Sequence, residues 1–104
     1  MQDRTEYQKA NAKDYARRSK EYRARRRALV AEMKDKPCTD CGGRFPAVCM
    51  DFDHRDPSEK FLAVSVMVVR GISLKRILAE IDKCDLVCAN CHRVRSEKRG
   101  HYRR

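Results

Sequence analysis

The 104-residue chain has no tryptophan and few helix-breaking residues, with only four glycines and three prolines. It also lacks a long hydrophobic run: its longest apolar stretch, residues 62–69, contains a serine and is far too short to span a bilayer. The first residues lack the apolar core of a secretory signal, so we expect a cytoplasmic protein that is not secreted. With 41% hydrophobic residues and no tryptophan, we expect a thin core that needs a further source of stability, such as a metal ion.

Positive charge is abundant but unevenly distributed, giving a formal net charge of +10. Residues 1–36 carry 12 basic and 6 acidic side chains, residues 37–92 carry 7 and 8, and residues 93–104 carry 6 and 1. Two basic arms flank a slightly acidic middle, which excludes a uniformly basic, histone-like coat. Cationic arms favour a polyanion because each neutralised phosphate releases condensed counterions. We expect DNA contacts that are largely independent of sequence, and no membrane partner, since no segment has a broad apolar face.

The first basic arm, residues 1–36, is predicted to be helical. Residues 3–34 contain no glycine or proline and are rich in alanine, arginine, lysine and glutamate, which predicts one long helix that ends before Pro37. Its apolar residues are sparse, so most of it must be solvated, and a charged helix with no binding role is the alternative. A narrow stripe that could contact the domain or a partner is formed by Tyr15, Tyr22 and Leu29. The predicted DNA contacts are the arginine triplet Arg25, Arg26 and Arg27.

Residues 37–99 are predicted to form the folded domain, and residues 100–104 a basic tail in which His101 is a surface residue. Residues 48–53 alternate apolar and polar side chains as a half-buried strand does, with Cys49 on the polar side. Residues 62–69 fit either a strand or a short helix. The later elements are a helix capped by Ser73 with Leu74, Ile77, Leu78 and Ile81 on one face, a strand at 85–87 and a helix at 90–98.

The six cysteines include two Cys-x-x-Cys pairs separated by 46 residues, namely Cys38 with Cys41 and Cys88 with Cys91. In a reducing compartment such pairs are poor disulfide candidates and good metal ligands. Four thiolates in two tight turns suit a tetrahedral zinc ion that stabilises the fold. A redox dithiol, or free thiols in a small core, are the alternatives. The remaining two, Cys49 and Cys84, are predicted to be small buried hydrophobes, although Cys84 lies near enough to compete as a ligand.

Acidic residues and histidines stand beside these cysteines. Asp51, Asp53 and His54 lie at the end of the predicted strand, and His92 directly follows Cys91. Two of the three histidines in the chain are thus next to elements that a zinc ion would hold in place. Asp51 is either a second acidic contact or a solvated residue.

Residues 37–96 resemble the HNH endonuclease family, whose ββα-metal (His-Me finger) domain here has an added zinc site. The resemblance rests on the first cysteine pair, on Met50-Asp-Phe-Asp-His54-Arg-Asp-Pro-x-x-Lys60, and on Cys84-Asp-Leu-Val-Cys88-Ala-Asn-Cys91-His92-Arg93. It implies a small α+β domain, here preceded by the long basic helix. The basic helix also resembles that of small bacteriophage HNH proteins, which implies phage terminase or packaging proteins as partners and a bacterial host cytoplasm.

The resemblance implies a role for each site residue. His54 matches the general base that activates water, and Asp53 with His92 match the ligands of one catalytic Mg²⁺ or Mn²⁺. Arg93 and Arg95 are candidate phosphate contacts beside the cut, and Lys98 is a further predicted DNA contact. The family's central asparagine has no clear match, and Asp85 is a possible substitute as the brace of the loop that holds the base.

These observations predict a metal-dependent DNA endonuclease that leaves 5′-phosphate and 3′-hydroxyl ends. The alternatives are a non-catalytic zinc-ribbon DNA-binding module and an adaptor for a packaging or nuclease complex. At the level of single residues, His54 could instead cap its own strand, and His92 could replace a cysteine as a zinc ligand. Lys60 could contact a phosphate or pair with Asp56.

Overall fold

The computed structural model describes residues 4–100, without the side chains of residues 4–7 and 10. Over this range the chain is a small α+β protein with four α-helices and a two-stranded sheet. Its elements are α1 (Arg4–Met33), β1 (Met50–His54), α2 (Val64–Val69), α3 (Leu74–Ile81), β2 (Cys84–Cys88) and α4 (Ala89–Lys98). The predicted tail, including His101, lies outside the described residues apart from Gly100.

α1 is a single helix of 30 residues, as the absence of glycine and proline predicts. At 1.5 Å per residue it is about 45 Å long, and it ends at Met33, four residues before Pro37. Arg26 and Val30 are buried, whereas the described side chains before Arg26 are exposed or half-buried. The last third of α1 therefore packs with the rest of the protein, and the predicted boundary at residue 36 lies inside a packed unit. No helix among the described residues combines the length and the apolarity of a membrane span.

β1 and β2 pair antiparallel, in a register that opposes Asp53 to Asp85 and His54 to Cys84. Met50 opposes Cys88, and α4 begins at the next residue after Cys88. The first turn of α4 is therefore held beside the start of β1. This arrangement places the second cysteine pair and His92 next to the acidic residues of β1.

The predicted start of the first strand is wrong by two residues. Val48 and Cys49 belong to a 3₁₀ turn (Ala47–Cys49), and Val48 is 89% exposed. The prediction that Cys49 is buried is also wrong, because this turn leaves its side chain exposed. Cys84 packs against the core but is half-buried, so the prediction of a buried residue is met only in part.

Within residues 62–69, Val64–Val69 form the helix α2 rather than a strand. The buried residues recur at helical spacing, at Val64, Met67 and Val68. The chain then reverses through Gly71, whose φ of 68° is readily available to glycine. α3 begins as predicted, because the Ser73 hydroxyl accepts a hydrogen bond from the backbone N–H of Arg76.

The core is thin and consists of two clusters. One joins α1, α2 and α3 through Val30, Val64, Met67, Val68, Ile77 and Ile81. The other joins the sheet to the first cysteine pair through Cys38, Met50, Leu86, Val87 and Cys88. Phe52 packs against both clusters, so the sheet links the helical part to the cysteine part.

Candidate functional site

The four cysteines of the two Cys-x-x-Cys pairs converge on one point. The ligand atoms of Cys38, Cys41, Cys88 and Cys91 all lie within 4.8 Å of one another. The Sγ atoms of Cys41 and Cys88 are 4.0 Å apart, and two thiolates bound to a tetrahedral zinc ion at 2.3 Å are separated by about 3.8 Å. The cluster could therefore hold a metal ion such as zinc. This convergence favours one four-cysteine site over two separate redox dithiols.

Backbone N–H groups in the cluster favour the thiolate form of Cys38. Gly42, at φ 73°, donates its N–H to the carbonyl of Cys38 at 2.9 Å and closes the first turn. The N–H groups of Cys41 and Cys88 point at the Cys38 sulfur, at 3.5 and 3.3 Å. Burial raises the pKa of the Cys38 thiol, but N–H donors from Cys41, Cys88 and Asp40 lower it to about 6. A lowered pKa favours the form of cysteine that binds metal.

A cavity of about 250 Å³ lies between β1, α2 and α4. Its lining includes three residues that the sequence selects, Asp53 and His54 from β1 and His92 from α4. Lys60 also lines it, whereas Asp56 accepts hydrogen bonds from Ser58, so these two residues do not pair. The structure thus places these three predicted site residues around one cavity.

His92 lies between two carboxylates of β1. Its Nδ1 is 3.1 Å from Oδ2 of Asp51, and its Nε2 is 3.4 Å from Oδ1 of Asp53. Asp51, left undecided by the sequence, therefore contacts the imidazole. The alternative that His92 replaces a cysteine in the zinc site is wrong, because the sulfur cluster is complete without it.

Asp53 is buried and tied to two arginines. Arg99 donates to both carboxylate oxygens, at 2.7 and 2.9 Å, and Arg95 donates to Oδ2 at 2.9 Å. Burial raises the pKa of Asp53, but these guanidinium groups outweigh it and hold the pKa below its usual value. Asp53 is therefore an ionised carboxylate.

Asp53 and His92 each present a possible donor atom for a cation. In the neutral tautomer that donates from Nδ1 to Asp51, the Nε2 lone pair of His92 faces Oδ1 of Asp53, and a cation held by both atoms would relieve their repulsion. The two guanidinium groups on Asp53 oppose a cation at the same place. Asp53 and His92 therefore offer two donor atoms for a divalent ion, which would compete with Arg95 and Arg99 for the Asp53 carboxylate.

His54 is buried, at 6% exposure, and its Nε2 lies 2.7 Å from Oε2 of Glu80 on α3. The same Glu80 oxygen accepts the N–H of Phe61 at 2.9 Å, and its other oxygen accepts from Lys83 at 2.9 Å. Burial raises the pKa of Glu80, but the bonds from Lys83, Phe61 and His54 lower it to about 2. An ionised carboxylate therefore fixes the orientation of the predicted base.

Sequence reasoning missed Glu80, although a signal was present. It follows Ile77 by three residues and precedes Ile81, so it is a charged residue on the apolar face of a short helix. A buried charge is expensive unless it is paired and hydrogen-bonded. Such a position points to a partner across the core, which here is His54.

Arg95, predicted to contact phosphate, lies inside a network of carboxylates. Its guanidinium is bound by Asp40 at 2.6 and 2.7 Å, by Asp53 at 2.9 Å and by Asp85 at 3.0 Å. These partners strongly raise its pKa, with the bonds to Asp40 as the largest cause. The side chain is 19% exposed, so its observed contacts are internal.

The possible brace Asp85 acts through side chains. Its carboxylate accepts from Arg95 and, at 3.4 Å, from Arg55, the residue after His54. Arg55 also donates to the backbone carbonyls of Cys84, at 2.8 Å, and Asp82. The loop after His54 is therefore tied to the start of β2 mainly by Arg55.

The other predicted DNA contacts differ in exposure. Arg93 and Lys98 on α4 and Arg25 and Arg27 on α1 are exposed. Arg26 is buried, at 4% exposure, with its guanidinium carbon 3.9 Å from the centre of the Tyr22 ring. It cannot reach a phosphate without moving, so the arginine triplet does not act as one surface.

Comparison with known proteins adds no relative: no family model, no curated protein and no solved structure matches the chain significantly. The resemblance to HNH endonucleases, and the HNH fold itself, therefore remain predictions drawn from the residues.

Proposed function

We propose that the protein is a metal-dependent DNA endonuclease of the HNH type that hydrolyses phosphodiester bonds. The observation that supports the proposal best is the shared cavity, lined by His54, Asp53 and His92. The four-cysteine cluster holds zinc in this proposal and stabilises the fold around the cavity.

His54 acts as the general base. Its Nε2 is engaged by Glu80, so Nδ1 is the atom available to accept a proton from the attacking water. Glu80 fixes the plane of the imidazole and is a positioning residue.

Asp53 and His92 hold the catalytic divalent ion, Mg²⁺ or Mn²⁺. When bound, this ion would polarise the scissile phosphate and stabilise the leaving oxygen. Asp51 orients His92 through Nδ1, which keeps Nε2 directed at Asp53. Lys60 at the cavity lining supplies a positive charge for the phosphate.

The test is the cleavage of supercoiled plasmid by zinc-loaded protein, with Mg²⁺, with Mn²⁺ and with no added divalent ion. We expect nicked plasmid only with the added ion. His54→Gln, whose amide can still donate to Glu80, should cut at least about 100-fold more slowly. His101→Ala, a histidine from the predicted tail, is the matched control and should cut like the wild type.

Thermal unfolding of both variants would show that they are folded. The proposal would be overturned if the plasmid were nicked neither with Mg²⁺ nor with Mn²⁺. It would also be overturned if His54→Gln cut as fast as the wild type.

A second candidate is a zinc-containing DNA-binding module without catalysis. It is favoured by the internal pairing of the predicted catalytic groups: His54 is bonded to Glu80, and Asp53 to Arg95 and Arg99. Under this alternative the protein binds plasmid but never nicks it, whatever ion is added. An adaptor role beside phage packaging proteins rests on the resemblance alone and stays a prediction.

A further inference from the structure

The charges of α1 are sorted around the helix. At about 100° per residue, residues seven apart lie nearly above one another, so Lys13, Lys20, Arg27 and Lys34 form one row, which we call the cationic row. Lys34 lies just after the end of α1 and is half-buried, while the other three are exposed. The acidic residues Asp14, Glu21 and Glu32 lie about a third of the way around the helix from this row.

The cationic row leads to the cavity. The Nζ of Lys34 is 5.7 Å from the ring centre of Phe52, and Phe52 lines the cavity beside Asp53. Ser65 lines both the cavity and an adjoining groove that contains Arg27 and Lys34. The Lys34–Phe52 contact and the shared lining residue Ser65 thus connect the end of the row to the cavity.

The row is also not neutralised within the protein. Among the side chains that the structure describes, none of its four members forms an ion pair, whereas Arg17 and Arg18 both bind Asp14, at 2.8 and 3.1 Å. Among the described side chains of α1, Arg17 and Arg18 are therefore paired, whereas the row belongs to the cations that form no ion pair. Unpaired exposed cations gain most from an external polyanion.

We propose that the cationic row binds the phosphate backbone of duplex DNA that extends from the cavity. That this DNA is cut in the cavity rests on the proposed function. Consecutive members are about 10.5 Å apart, and the row extends for about 32 Å. One turn of B-DNA is about 34 Å long. The row therefore matches about one turn of duplex on one side of the scissile phosphate.

The cationic row includes only one member of the arginine triplet that the sequence predicts to contact DNA. Arg27 belongs to the row, Arg25 lies on the other side of the helix, and Arg26 is buried. Lys13 and Lys20 join Arg27 as expected phosphate contacts, and they extend the surface toward the start of α1.

The experiment compares two double variants with equal charge loss, Lys13→Gln/Lys20→Gln in the row and Arg17→Gln/Arg18→Gln outside it. Binding to a 30-base-pair duplex is measured by fluorescence anisotropy at several salt concentrations, with zinc-loaded full-length protein and no added divalent ion. Each phosphate contact contributes about 0.9 to the slope of log Kd against log salt. We expect the slope to fall by about 2 in the row variant and by less than 1 in the control.

Adding Arg27→Gln to the row variant should lower the slope by about one more. If the slope fell equally in the two double variants, or did not fall in the row variant, the proposal that the cationic row binds DNA would be wrong. The same row dependence on duplex RNA with equal affinity would overturn DNA as the partner.

Binding is measured without the ion needed for cutting, so the outcome is independent of catalysis. A wild type that binds through the row but never nicks plasmid contradicts the proposed endonuclease and leaves the row intact. A wild type that nicks plasmid while its row variant binds normally contradicts the row and leaves the endonuclease intact.

Discussion

The cysteine cluster and the cavity lined by Asp53, His54 and His92 are both candidate ion sites, but their charges are balanced in different ways. The cysteine sulfurs face one another and a few backbone N–H groups, so nothing within the described chain balances four thiolates. In the cavity Asp53 is already balanced by Arg95 and Arg99, and His54 is held by Glu80. A bound cation would supply the counter-charge for thiolates in the first region, whereas the charges of the second are paired within the protein. A structural ion and an exchangeable ion would be expected to differ in this way.

The largest effect should come from the cysteine cluster. Cys88→Ser removes one ligand but keeps a side-chain acceptor for the N–H of Cys91 at the start of α4. Because structural zinc contributes about 10–16 kcal/mol in small domains, we expect loss of zinc and of the cooperative unfolding transition. Native mass spectrometry reports the bound zinc, and circular dichroism reports the transition.

Cys49→Ser is the matched control, since Cys49 is exposed and lies outside the cluster. It should keep its zinc and its melting temperature. If Cys88→Ser melted like Cys49→Ser, the cluster would not be the ion-dependent part of the fold, and the contrast between the two regions would fail.

An intermediate effect is expected where the cavity is held by internal pairing. Glu80→Gln removes the charge that receives hydrogen bonds from His54, Lys83 and Phe61. We expect the free energy of unfolding in urea to fall by about 2–4 kcal/mol while zinc is retained. Glu97→Gln, an exposed glutamate on α4, should change it by less than about 0.5 kcal/mol. An unaffected Glu80→Gln protein would show that the pairing does not hold the cavity together.

The same variant gives a pH signature with a definite sign. The pKa of Glu80 falls from 4.5 to about 2 on folding, so its stabilising contribution is present above pH 4.5 and is lost as the pH falls toward 2. The stability difference between wild type and Glu80→Gln should therefore shrink between pH 5 and pH 3. The comparison is made at pH values at which native mass spectrometry shows zinc bound to both proteins, because loss of zinc in acid would remove the unfolding transition of both. A constant difference would mean that Glu80 is not ionised through this pairing.

The contrast between the regions also explains what the sequence could predict. The cysteine pairs have a local spacing, and α1 lacks glycine and proline over its whole length, so both were readable without a structure. The arginines that hold Asp53 come from up to 46 residues away, and Glu80 meets His54 across 26 residues. No spacing rule connects such pairs, because they depend on how α3 and α4 pack against β1. The 3₁₀ turn before β1 was missed for a similar reason: its residues continue the alternating pattern of the strand while the backbone does not.

The smallest effect should come from adding the exchangeable ion to protein that already contains zinc. At a Mn²⁺ concentration ten times its Kd, stabilisation is about 1.4 kcal/mol, which is a modest rise in melting temperature. His92→Ala should abolish that rise, since it removes Nε2 opposite Oδ1 of Asp53, while the zinc content stays unchanged. Cys49→Ser protein, with the same zinc and an intact cavity, should show the full Mn²⁺ effect. If Mn²⁺ stabilised the His92→Ala and wild-type proteins equally, the ion would be binding elsewhere. The cavity would then be a set of internal ion pairs, as the non-catalytic alternative requires.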